Sequence, residues 1–97
     1  MTKIVINADF GGFGISETGI AYINILRTQR KKPLYEKDIE EINRDDPELV
    51  QMVEDLGEEA NDVYSKLKVV EIPDGVEWEI SEYDGFETVE EEHRSWN

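Results

Sequence analysis

Three glycines and a serine, Gly11, Gly12, Gly14 and Ser16, stand together in the stretch NADFGGFGISETG, between a strand-like and a helix-like segment. Residues of these types in this order can hold an anion, because free N–H groups and the helix dipole converge at a helix N-terminus. A nucleotide phosphate suits that chemistry, and Phe13 sits at the tip of the loop. The spacing, however, is neither the G-x-G-x-x-G of dinucleotide-binding folds nor a loop with lysine after its last glycine. Asp9 and Glu17 flank it and repel phosphate. A sharp strand-to-helix turn also needs glycine for positive φ. Of Phe10 and Phe13, one is expected in the core and one exposed.

Carboxylates are the second constellation. In VEWEISEYDG, Glu77 and Glu79 share one side of an expected strand, about 6.7 Å apart at a rise of 3.3–3.4 Å per residue. Glu71 is expected to extend the row from a neighbouring strand, with Glu82 and Asp84 near the turn. One DNA strand carries a charge for about every 3.4 Å of helix axis; the carboxylate row is about twofold sparser but of the same order, so such a face could imitate a nucleic-acid track. Trp78, Tyr83 and Trp96 are candidate apolar anchors beside it. A solvated face that guards a sheet edge against aggregation accounts for the same acids.

Arg27, Arg30, Lys31 and Lys32 form a basic cluster without interleaved aromatic residues, which argues against base stacking. They suit a helix C-terminus, or acids elsewhere in the chain or in a second copy, which opens a route to homo-oligomers. His93 is the single histidine, three residues after Glu90, and there is no cysteine. No usual zinc site can therefore be completed, and Ser16 has no neighbouring base to activate it. No metal, cofactor or enzymatic activity is expected.

The net charge of −14 is unevenly distributed. Residues 1–35 hold five basic and two acidic side chains, residues 36–62 two and twelve, and residues 63–97 three and ten. Direct binding to nucleic acid or anionic membrane is thereby disfavoured, since both need neutralising lysine and arginine. A basic protein surface is the better match. A chain of 97 residues supports one modest core, so a single domain, 1–97, is expected. Neither a run of membrane-spanning length nor a signal-peptide h-region is visible, which suggests a soluble cytoplasmic protein.

These groups must be positioned by few elements. KIVINADF alternates Ile4, Ile6, Ala8 and Phe10 against Lys3, Val5, Asn7 and Asp9, a strand with one buried face. Ser16 caps a helix stapled by Ile15 and Ile20, whose apolar face takes in Tyr22, Ile23, Ile25 and Leu26 and which ends before Pro33. The segment from Leu34 to Ile42 reads either as helical, on Tyr35, Ile39 and Ile42, or as a short strand. Asp46 and Pro47 open a second helix carrying Leu49, Met52, Val53 and Leu56, which stops at Gly57 or continues to about Asn61. KLKVVEIP and VEWEISEY, separated by PDG, read as a hairpin over 67–83, and residues 86–96 as a third strand or a short helix. The class is α+β, with an antiparallel hairpin late in the chain.

The opening KIVINADFGGFGIS, the central DDPELV and DLGEEAN, and the ending VEWEI…EYDG…HR.W resemble a family of small bacteriophage and prophage proteins. The resemblance spans nearly the whole chain. NADF departs from the aromatic or cysteine-containing stretch more usual in that family's first loop. Members have no assigned activity, so the resemblance implies no catalytic residue. It implies a phage accessory protein of the bacterial cytoplasm that binds and inhibits a host or defence component.

Overall fold

The computed structural model describes residues 1–36 and 41–91. It is α+β: β1 (Thr2–Asn7), α1 (Glu17–Gln29), α2 (Pro47–Leu56), a 3₁₀ turn (Gly57–Ala60), β2 (Leu67–Ile72), β3 (Trp78–Tyr83) and β4 (Phe86–Glu91). Both helices start where the sequence places them. Ser16 Oγ accepts from Gly19 N at 3.0 Å, and Asp46 Oδ1 accepts from Glu48 N and Leu49 N at 2.9 and 3.1 Å. Each cap satisfies N–H groups that a helix leaves unpaired.

α1 ends by a Schellman motif before Pro33. Lys32 N donates to Arg27 O and Lys31 N to Thr28 O, while Lys31 adopts φ 58°. α2 stops at Gly57, also at positive φ, and the 3₁₀ turn then carries Ala60 into the core. No strand forms at Leu34–Tyr35, although Tyr35 and Ile42 are both buried. Ile39 lies outside the described residues. Ile25, read as part of the apolar face, points outward at the edge of a shallow groove.

The strands pair differently from the sequence reading. β2 pairs antiparallel with β1, from Thr2↔Ile72 to Asn7↔Leu67, and β3 pairs antiparallel with β4. Residues 67–83 are thus not a hairpin. PDG carries the chain from one two-stranded sheet to another, and Thr2 Oγ1 fixes that passage by donating to Asp74 Oδ1 at 2.8 Å. The late hairpin is β3–β4, joined by Asp84–Gly85 with φ of 51° and 89°. Those angles match a type I′ turn, whose twist suits a two-residue hairpin loop.

Three layers result. On one face of the first sheet, Val5, Leu67 and Val69 pack with Ile15, Ile23, Leu49, Met52 and Val53 of the helical layer. On the other, Ile4, Ile6 and Ile72 pack against Trp78, Ile80 and Val89 of the hairpin. β1 therefore buries both faces, not one: Ile4, Val5, Ile6 and Asn7 are all at most 5% exposed. A strand between layers reads as a continuous apolar run, and IVI is that run.

The basic cluster serves the helix pair. Glu48, wholly buried at the start of α2, accepts from Arg30 Nη1 at 2.6 Å and from Lys32 Nζ at 3.0 Å, and Arg27 binds Asp46 at 3.2 Å. Lys31 makes no ion pair among the described residues. Tyr22 also donates to Asp55, tying α1 to α2.

Candidate partner-binding surface

Asn7 ends β1 with its side chain fully buried and every polar atom used. Nδ2 donates to Asp9 O and Gly85 O, each at 2.7 Å, and Oδ1 accepts from Lys66 N at 2.8 Å. One amide therefore stitches together the glycine loop, the segment before β2 and the β3–β4 turn. Its own N–H donates to Glu87 Oε1 at 2.8 Å. Arg44 forks onto Glu87 at 2.5 and 2.9 Å, and its guanidinium lies 3.7 Å from the centre of the Phe13 ring.

The glycines let these three backbones approach. A Cβ on Gly11 would sit 2.1 Å from Tyr64 O, and one on Gly85 would sit 2.5 Å from Phe10 O and Gly12 N. Gly14 lies against the Asp62 carboxylate in the same way. Gly12 has φ of 93° and open space around it. Ser16 caps α1 and donates to Glu59 O at 2.6 Å, while Ser16 N donates to Ala60 O. Carbonyls and the 3₁₀ turn thus face the start of α1. Of the possible ligand loop, Gly11 and Gly14 are required by close packing, Gly12 by its positive φ and Ser16 by the helix cap, while Phe13 lies under Arg44. Phe13 and Gly14 also line a recess of about 270 Å³ with Tyr35, Glu41 and Arg44.

At this corner the molecule displays aromatic residues. Phe10 is 62% exposed, Tyr64 70%, Tyr83 73% and Val63 87%. The exposed phenylalanine is Phe10, whereas Phe13 is half-buried under Arg44. Phe10 and Phe86 rings lie 5.3 Å apart, Phe86 sits opposite Tyr83, and Gly11 abuts Tyr64. Phe10, Phe86 and Tyr83 are thus neighbours across two loops, and Tyr64 is anchored against the glycine loop beside them. Asp9, Glu82 and Asp84 are exposed around them, with Asp62 partly so. Contiguous exposed apolar surface with a polar rim marks interaction sites.

The other partner-binding candidates divide. Glu79 lies opposite Glu90 on the outer hairpin face, the face that carries Tyr83, and Glu77 is exposed just before β3. Trp78 instead points inward against the first sheet. Glu71 does not extend the row. It pairs with Lys3 on the first sheet, where Lys3 Nζ reaches Glu54 of α2 at 2.7 Å. Glu82 Oε2 accepts from Gly85 N at 2.6 Å, so Glu82 and Asp84 help form the turn. Trp96 and His93 lie outside the described residues. Among the described residues these acids are thus spread over more than one face and do not line up as a single phosphate-like track.

Sequence reasoning missed Asn7, Arg44, Glu87 and Tyr64. Only Tyr64 left a signal, as an aromatic beside a valine in a polar connection. No helix among the described residues is long and apolar enough to cross a membrane. No family model, curated protein or solved structure matches the chain.

Proposed function

We propose that this chain is a non-enzymatic, phage-encoded accessory protein that binds a basic surface on a bacterial host or defence protein and inhibits it in the cytoplasm. The observation that supports docking is the exposed aromatic group of Phe10, Phe86 and Tyr83, with Tyr64 exposed on the adjoining segment and acids around it. Aromatic side chains supply most of the affinity in such contacts, and the acids supply on-rate and discrimination. The phage setting and the inhibitory role rest on the resemblance of the opening and closing segments.

Capture from bacterial lysate with the wild-type chain and a Phe10→Ser/Tyr83→Ser variant tests this reading. A partner held by the wild type, weakened by salt and lost from the variant is the expected result. A partner held equally by both chains overturns it.

A further inference from the structure

The β3–β4 sheet has an open side. A two-residue loop makes Tyr83 and Phe86 the pair that exchanges both ladder bonds, and the alternation assigns Glu79, Ser81 and Tyr83 to β4. The N–H and C=O groups of Trp78, Ile80 and Glu82 then face outward, and among the described residues no backbone group bonds them. The edges of the first sheet are covered or guarded. The β1 edge is closed by Val5 N donating to Arg44 O at 2.8 Å, and β2 carries exposed Lys68.

We propose that the β3 edge receives an extended segment of the partner protein in which lysine or arginine alternates with apolar residues. The inference deepens the proposed function and rests on it. Alternation follows from the two sides of the strand. On the outer side a neighbouring residue meets Glu79, which already faces Glu90 across the ladder, a like-charge pair that a cation relieves. On the inner side it meets Trp78 and Ile80, both half-buried over Ile4 and Ile72, and extends that cluster. Backbone bonds to the edge supply affinity, and alternate side chains supply specificity. A second copy is a poor occupant, because edge-to-edge pairing sets Glu77, Glu79 and Glu82 of one chain against those of the other.

Synthetic peptides test this on the intact protein: one alternating lysine and valine, one alternating glutamate and valine, and lysine–valine peptides N-methylated along one strand side or the other. The lysine–valine peptide is expected to shift the amide resonances of Trp78, Ile80 and Glu82 and to slow their hydrogen exchange. The glutamate–valine peptide, and the peptide methylated on the side that pairs, are expected to bind at least about tenfold more weakly. Glu79→Lys is expected to reverse the charge preference. Silence of the three amides, or equal binding of both N-methylated peptides, overturns the proposal. Lysate capture that depends on Phe10 and Tyr83, together with a silent β3 edge, overturns strand addition alone. Edge engagement without Phe10-dependent capture overturns the aromatic-corner reading alone.

Discussion

Removing the Glu87 carboxylate strands three donors: the Asn7 N–H and both arms of the Arg44 fork. A buried charge that loses its partner is expensive, so Glu87→Ala is expected to destabilise the chain by about 3–5 kcal/mol. Glu87→Gln keeps one acceptor and is expected to lose about 1–3 kcal/mol. Urea unfolding measures both, and a cost below that of an ordinary surface change would show that Arg44 is held by Phe13 alone. Glu48 carries the acid sensitivity. Burial by itself raises its carboxyl, but hydrogen bonds from Arg30 and Lys32, with their charges, hold it below its usual 4.5. A folded-state value below the unfolded one gives stability that is complete above about pH 4.5 and fades as pH falls through the folded value. Glu48→Gln is expected to flatten that part of an acid titration followed by circular dichroism.

Lys31 occupies a left-handed position at the end of α1, where glycine is the usual residue. Lys31→Gly relieves that strain at no ion-pair cost, and is expected to raise stability by about 0.5–1 kcal/mol against the entropy it adds to the unfolded chain. The glycine loop gives a paired contrast. Gly12→Ala meets only an unfavourable φ, worth about 1 kcal/mol, whereas Gly11→Ala drives a methyl into the Tyr64 backbone and must displace the segment before β2. Thermal melts should separate the two variants clearly. If they melt alike, the close approach at Gly11 is not what shapes the corner. Helix starts were legible in the sequence because caps are local, and Ser16 and Asp46–Pro47 mark both. Strand partners were not, because period-two alternation shows that a strand has two faces without saying what lies beside it. Asn7 looked like an outward polar residue, and Glu87 like one more acid in a run. Glu87 is buried against Arg44, 43 residues away, and Asn7 against the backbones of Lys66 and Gly85, 59 and 78 residues away.

Across the whole molecule, a charge of −14 opposes compaction. Added salt screens this repulsion, and it also weakens pairs such as Lys3–Glu54, which are exposed and contribute little. Repulsion outweighs them, so Tm is expected to rise between low and moderate salt while partner capture weakens. A Tm that falls over the same range would mean that the internal ion pairs dominate.

The order in which the chain is made gives the Asn7 junction a further meaning. β1 leaves the ribosome before the helices and the hairpin, yet its last N–H finds its acceptor 80 residues later, on Glu87. Pairing at such separation is slow, since loop closure precedes any reward. Until then the Ile4 and Ile6 side of IVI stays uncovered, and the helices can assemble a core only on the Val5 side. Folding is therefore expected to wait until residue 87 has emerged, and then to finish in one late step that docks the hairpin and closes the aromatic corner together.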